Sequence, residues 1–344
     1  MRTARLGRNG PVVSRICLGT WAFGGNWGPV EPGAAQEAIA AGREAGINFF
    51  DTAYSYGAGA AEAILGEALR GELRRDRDAV VIATKGGLRI EGNRMLRDSS
   101  PAWLRDGLEA SLRRLGLDHL DLLYLHWPDP RTPFAASAEA LRDLVAEGKV
   151  RWIGASNFDT GQRAELEDEV PVTVIQQPYH MLRRGAEEEL LPAARRDGIG
   201  VVTYSPLAHG LLAGSVTAGR RLHRDDWRGT HPAFEGADLE RNLAVVRDLN
   251  RLARALDTSL PALAVGWVLA NEAVTAAAVG ARGREQLAGV VGSTELELSV
   301  QRLAEIDLIL ERAVEIDGPR PETRRLAGVP AASDRAAGIQ RGRG

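Results

Sequence analysis

The chain has 344 residues, 44% of them hydrophobic and 26% charged, with a formal net charge of −3. There is no basic excess for a nucleic-acid partner and no acidic tail. No apolar run approaches the roughly 18 residues that a membrane-spanning helix needs.

Taken in order, residues 2–15 carry turn signals from Gly7 to Pro11 and read as an N-terminal hairpin. Ile16-Cys-Leu18 is the first strand of the main fold, and Cys17 within it reads as a buried thiol. Cys17 is the lone cysteine, so no intrachain disulfide can form. With no signal-peptide core in the first residues, a reducing, cytoplasmic setting is expected. A helix over 32–45 closes on Gly46, and Asn48-Phe-Phe50 is the second strand, followed by a helix at about 60–70. Val80-Val-Ile-Ala-Thr-Lys85 is the third strand. Ser100 and Pro101 then supply an N-cap and first-turn proline for a helix that runs to Leu115 and Gly116. Asp121-Leu-Leu-Tyr-Leu-His126 is the fourth strand, with a helix at about 133–147.

Val150 to Ser156 and Asn157 is strand five, 172–176 strand six and Gly200 to Ser205 strand seven, with helices expected at 159–168 and 185–197. Pro206 to Gly236 reads as a long functional loop. Helices at 238–256 and 260–271 precede strand eight, Thr275 to Gly280, and two more follow at 284–291 and 299–315. Eight strands alternating with helices predict an α/β fold: a single (β/α)8 TIM barrel with an N-terminal hairpin and extra C-terminal helices. That domain spans 1–325, and 326–344 reads as a flexible tail.

Several strands are uninterrupted apolar runs, as expected where a parallel sheet is buried on both faces. Three of them end on or beside a titratable residue. Asp51 follows Phe50 and opens into Thr-Ala-Tyr54-Ser-Tyr56-Gly57, Lys85 ends the third strand, and His126 ends the fourth. The C-terminal strand ends are where such a barrel builds its active site. Of the 43 basic residues only Lys85 and Lys149 are lysine, so a lysine at a buried strand end answers a need for a compact, titratable ammonium. An ammonium about 4 Å from a phenol, at an effective dielectric near 20, favours phenolate by roughly 4 kcal/mol, or about three pKa units. Asp51, Tyr56, Lys85 and His126 therefore suit proton delivery to a carbonyl oxygen while a nicotinamide supplies the hydride. A Schiff-base aldolase would use the same lysine, tyrosine and acid without a nicotinamide. His223 and His231, with Asp225 and Asp226 between them, match no metal-ligand spacing and read as a polar loop; no metal is expected.

The stretches Leu18-Gly-Thr-Trp21, Phe50-Asp-Thr-Ala-Tyr-Ser-Tyr-Gly57, Ile82-Ala-Thr-Lys85, Leu122-Leu-Tyr-Leu-His126, Gly148 to Phe158, Gln176-Gln-Pro-Tyr-His180, Thr203-Tyr-Ser-Pro-Leu207 and Val279 to Gln286 resemble, in order, the aldo-keto reductase superfamily. Trp127-Pro-Asp-Pro130 and the long loop after strand seven are most similar to its bacterial general-stress, NADPH-dependent members. The resemblance implies an NADP-dependent reductase of aldehydes or ketones, with Tyr56 as general acid, Lys85 and Asp51 tuning it, and His126 orienting the carbonyl. It implies a cofactor site of Gly19, Thr20, Trp21, Asp51, Ser156, Asn157, Gln176, Tyr204, Ser205, Pro206, Leu207, Gly210, Arg228, Gly280, Arg282 and Gln286. Within that site Ser156, Asn157 and Gln176 hold the carboxamide, Tyr204 stacks on the ring, and Ser205 to Leu207 with Gly210 grip the pyrophosphate. Arg228 closes over the cofactor, and Arg282 with Gln286 meets the 2′-phosphate. Trp21, Trp27, Tyr54 and Trp127 are the expected substrate walls, suited to planar or sugar-like carbonyl compounds. Two positions depart from the pattern: Val290 stands where many relatives place an asparagine, and His209 where close relatives often carry arginine. Dehydrogenation of a sugar or other alcohol, and a regulatory subunit that binds NADPH, are compatible with the same residues. Neither nucleic acid nor membrane is an expected partner, and monomer and homo-oligomer fit equally.

Overall fold

The eight predicted strands become the eight parallel strands of a closed barrel. The computed structural model describes residues 1–25, 33–92, 94–217, 219 and 226–323. β1 (Thr3–Arg5) and β2 (Val12–Ser14) pair as the N-terminal hairpin. The chain continues through β3 (Ile16–Gly19), α1 (Ala34–Glu44), β4 (Phe49–Asp51), α2 (Ala60–Arg75) and β5 (Val81–Gly86). A second small hairpin, β6 (Leu88–Glu91) with β7 (Arg94–Arg97), precedes α3 (Pro101–Leu115) and β8 (Leu120–Leu125). Then come α4 (Phe134–Ala146), β9 (Val150–Ser156), α5 (Thr160–Glu167), β10 (Val174–Pro178), α6 (Leu190–Asp197) and β11 (Gly200–Tyr204). α7 (Gly236–Ala255), α8 (Leu260–Ala270), β12 (Ala276–Gly280), α9 (Arg284–Val291) and α10 (Val300–Leu310) complete the described elements. The ring runs β3-β4-β5-β8-β9-β10-β11-β12 and closes where β12 pairs with β3.

The two faces of the strands make two separate cores, which is why the runs show no polar alternation. Ile16, Leu18, Phe50, Ile82, Leu123 and Ile153 point outward under the helices. Cys17, Phe49, Val81, Ala83, Leu122, Tyr124, Val174, Val202 and Ala276 fill the interior, and Leu6 and Val13 of the β1–β2 hairpin join that inner cluster. The hairpin thus plugs one end of the barrel with two fully buried side chains.

Local signals set most element ends. Pro101 opens α3 and Gly116 ends it in the left-handed conformation, φ 69°. Ser100 occupies the N-cap position, but its hydroxyl donates to Asp98 Oδ1 at 2.6 Å instead of capping α3. α5 starts on an Asp159–Gln162 capping box and not on Ser156-Asn157. Within the long loop after β11 three short 3-10 turns form, at Ala208–Gly210, Trp227–Thr230 and Pro232–Phe234. α10 stops at Leu310, short of the expected 315, because the chain beyond it binds elsewhere: Val314 exchanges two hydrogen bonds with Asn242, and Ile316 N donates to Leu182 O. The expected tail, 326–344, lies outside the described residues, and no single described helix is long and apolar enough to cross a membrane.

Candidate active site

Side chains alternate along a strand, so parity decides which residues share the interior. The register sets Gly19 beside Asp51, Lys85 beside Tyr124, Ser156 beside Gln176, Tyr204 beside Ala278, and Gly280 beside Gly19. Gly19, Asp51, Lys85, Ser156, Gln176, Tyr204 and Gly280 are therefore inward positions at or near the C-terminal ends of seven strands. His126 follows the end of β8 in the same parity as Leu122 and Tyr124. These eight positions ring the open end of the barrel.

At the centre is the Lys85 ammonium, 3% exposed. It donates to Asp51 Oδ1 at 2.5 Å and to the Thr52 carbonyl at 2.9 Å. It lies 4.9 Å from the Tyr56 ring centre and 5.8 Å from that of Tyr124. Burial works against the charge, but the Asp51 carboxylate and the Tyr56 hydroxyl outweigh it and hold the lysine pKa above its ordinary value. The other Asp51 oxygen accepts from Gln176 Nε2 at 2.8 Å. The Tyr56 ring meets His126 edge-on at 6.0 Å and Trp21 at 6.5 Å. The loop that carries Tyr56 lies directly on the backbone of the turn after β3: a Cβ on Gly24 would fall 2.7 Å from Gly57 N. Chemically, this is a phenol beside an ammonium held in its charged form, with an imidazole across from it.

A cavity of about 450 Å³ runs outward from this group. Gly19, Trp21, Asp51, Tyr56, His126 and Trp127 line it together with Ser156, Asn157, Gln176, Tyr204, Ser205, Leu207, Gly210, Arg228, Gly280, Arg282 and Gln286. The Asn157 amide is held by three neighbours: its Nδ2 donates to His126 O (3.0 Å) and Ser156 Oγ (3.1 Å), and its Oδ1 accepts from Tyr204 Oη (2.7 Å). Asn157, Ser205, Ala208 and His209 all have positive φ, a costly backbone for residues other than glycine that clusters at ligand clamps. Arg228 is 6% exposed, bound through Nε and Nη2 to Asp226, and donates from Nη1 to His209 O at 2.9 Å, so it is already seated against the wall. The Arg282 backbone N–H donates to Gln286 Oε1 at 2.8 Å, and both residues line the cavity.

The sequence matches the Aldo/keto reductase family over residues 15–311. This chain belongs to the aldo-keto reductases. It is 35% identical over 316 residues to Aldo-keto reductase YhdN of Bacillus subtilis (strain 168), an alignment that covers 91% of this chain and 95% of the relative. It is 34% identical over 315 residues to the NADH-specific methylglyoxal reductase of Escherichia coli (strain K12), covering 87% and 95%. The solved glycerol dehydrogenase AKR11B4 from Gluconobacter oxydans superposes with a TM-score of 0.82 at 36% identity, covering 92% of this chain and 98% of that one. The protein is thus an oxidoreductase of a nicotinamide-using family, built on that family's barrel.

Some expected residues are not brought to the cavity of this aldo-keto reductase. Tyr54 turns away toward α3, edge-on to Trp103 at 6.2 Å and under the Arg114 guanidinium at 5.3 Å, so it does not wall the cavity. Thr20 is fully buried and serves through its backbone, donating to Asp51 O at 2.9 Å, and Pro206 also lies off the lining. Trp27, His223 and Asp225 lie outside the described residues. Asp226 is committed to Arg228, and His231 Nδ1 accepts from Ala233 N at 3.3 Å. Sequence reasoning missed Tyr124, fully buried beneath Lys85; its parity with His126 was the available signal. It also missed Ser215, whose Oγ donates to Gly210 O at 2.9 Å. Gly318 and Pro319 of the C-terminal segment also line the cavity, with Asp317 paired to Arg183 at 2.7 Å. No local pattern marked them.

Two histidines sit beside this wall. His180 is fully buried, neither ring nitrogen has a hydrogen-bond partner among the described residues, and burial, helped by Arg183, pushes its pKa down to about 3. His209, 6.0 Å away, is pushed well below its ordinary value by burial and then by His180. Below the unfolded value of 6.5 the unfolded chain takes up protons that the folded chain refuses. Stability is therefore full above that pH and lost as pH falls, toward about 3 for His180. The slope is about 1.4 kcal/mol per pH unit for each imidazole. Urea unfolding between pH 6.5 and 5 should show it, and His180→Leu should remove about one such increment of slope.

Proposed function

We propose that this aldo-keto reductase reduces aldehydes or ketones to alcohols with NADPH, Tyr56 giving its proton to the carbonyl oxygen. What carries the reading is the buried Lys85 ammonium, bonded to Asp51 and 4.9 Å from the centre of the Tyr56 ring, which lines the cavity. The charge stabilises the phenolate that remains after proton transfer, and Asp51 keeps the lysine protonated and aimed. His126, edge-on to Tyr56, hydrogen-bonds the carbonyl oxygen as charge builds there. Bound in the cavity, a reduced nicotinamide supplies the hydride that no side chain can. Ser156, Asn157 and Gln176 would hold its carboxamide, and Tyr204, anchored through Asn157, would face the ring. Ser205, Leu207, Gly210 and Arg228 would meet the pyrophosphate, and Arg282 with Gln286 the adenosine end. The continuous lining from Tyr56 to Arg282, with Gly19, Gly210 and Gly280 presenting bare backbone along it, suits an extended dinucleotide. Trp21 and Trp127 would wall the substrate.

The raised Lys85 pKa argues against the aldolase reading, because imine formation needs a neutral amine. Running in the oxidative direction on an alcohol is the second reading, favoured by the likeness to a solved glycerol dehydrogenase. Tyr56, as phenolate, would then accept the proton. A screen of aldehydes, ketones, sugars and polyols in both directions, followed by the absorbance of the reduced nicotinamide, separates the two. It also tests for a protein that binds the cofactor without turnover.

One relative is named NADH-specific, so the cofactor preference rests here on Arg282. A guanidinium at the adenosine end favours a 2′-phosphate. Arg282→Ala should raise the KM for NADPH about tenfold or more and the KM for NADH less than about twofold. Equal effects on both would remove the phosphate contact.

A further inference from the structure

A carboxylate outside the proton path lies buried behind the Tyr56 loop. Glu62, in the first turn of α2, is 0% exposed. Its Oε1 accepts from Thr84 Oγ1 at 2.6 Å and its Oε2 from Arg114 Nε at 2.6 Å. Arg114, on α3, also donates to Ser111 Oγ at 3.2 Å and covers the Tyr54 ring. Gly59, at the start of α2, is the close approach that permits this: a Cβ there would fall 2.5 Å from Arg114 Nε. On the other side, Ala61 N donates to Tyr56 O at 3.3 Å and Ala60 N to Gly57 O at 3.1 Å. Glu62 is therefore one residue from the amide that holds the Tyr56 carbonyl, and its partner Thr84 is one residue from Lys85. Thr84 faces outward because Lys85 faces inward, so anchoring one sets the other.

A buried ion pair is weak evidence for stability, since well-packed apolar groups often serve as well. Its geometric effect is larger. The field of an ammonium at a phenol falls with distance; at an effective dielectric near 20, drawing the pair from about 3 Å to about 4 Å apart costs the phenol roughly one pKa unit of acidity. We propose that Glu62, by bridging Thr84 and Arg114, is a positioning residue that locks the Tyr56 loop against the Lys85 strand and so sets the acidity of the phenol from outside the barrel. This rests on the reading of Tyr56 as the general acid.

The test compares Glu62→Gln, Thr84→Val and Thr84→Ser with the parent enzyme, through the pH profile of kcat and the dissociation constant for the dinucleotide by fluorescence titration. Glu62→Gln and Thr84→Val should move the alkaline inflection of kcat up by about one pH unit and lower kcat several-fold, roughly three to ten times, with dinucleotide affinity within about twofold. Thr84→Ser, which keeps the hydroxyl, should return the profile to that of the parent. If Glu62→Gln fails to fold, the Thr84 pair decides. A parent-like profile in Thr84→Val and in any folded Glu62→Gln, whatever their melting temperatures, overturns the proposal. Tyr56→Phe separates the layers: retained turnover there sinks the general-acid reading itself. Its loss beside parent-like profiles in the other variants sinks the positioning role alone.

Discussion

Replacing Tyr56 by phenylalanine should leave the dinucleotide bound and lower turnover by about three orders of magnitude. A positioned general acid contributes typically 10²–10⁴-fold, and Tyr56, its ring centre 4.9 Å from the buried ammonium, is the proposed acid. Phenylalanine keeps the ring between Trp21 and His126, 6.5 and 6.0 Å away, so the cavity wall survives. The loop is held independently of the hydroxyl: Gly57 rests on Gly24, and the Tyr56 carbonyl accepts from Ala61. The loss should therefore fall on kcat, while fluorescence titration with NADPH gives a near-parent dissociation constant. Turnover within a few-fold of the parent would remove Tyr56 from the acid role.

Lys85→Met should cost both activity and stability, and the two losses should come apart in a double variant. The lysine answers a carboxylate that is only 3% exposed. Removing one partner of a buried ion pair costs about 3–5 kcal/mol, mostly from the charge left behind. Gln176 Nε2 still donates to Asp51 Oδ2 at 2.8 Å, which places the loss toward the lower end of that range. Turnover should fall by about 10² or more, since the phenol loses the field that acidifies it. Adding Asp51→Asn removes the stranded charge, so urea unfolding should recover most of the lost stability while kcat stays low. Recovery of both would show that the lysine acts only as a structural counterion.

The barrel was legible because a strand buried on two faces is largely apolar, and eight strands, several of them uninterrupted apolar runs, alternate with helices. Three positions of the ring at its open end, Asp51, Lys85 and His126, were legible because a titratable residue closing an apolar run stands out; the others came only through the family resemblance. Lys85 stood out further because lysine occurs only here and at Lys149 in a chain that writes arginine for its other basic residues. Tyr124 did not, although it has the same parity, because an aromatic inside an apolar run looks like core. Tyr54 was placed in the wrong surroundings because the strand-end motif gives no direction for a loop side chain. Arg114 and Trp103, on a helix about 50–60 residues along the chain, decide that it faces outward. The β6–β7 hairpin escaped notice because only its Leu88 and Met95 are buried, too few for a period to show.

Read alone, the sequence determined the fold class, the order of the strands and four residues that meet at the open end of the barrel, all of which are carried by patterns a few residues long. Only the tertiary structure decided which wall each loop residue faces, that Gly318 and Pro319 reach the cavity, and that Glu62 is joined to Thr84 and Arg114. Those are contacts between segments far apart in the chain. Local periodicity says which face of an element is buried, but not what meets it there.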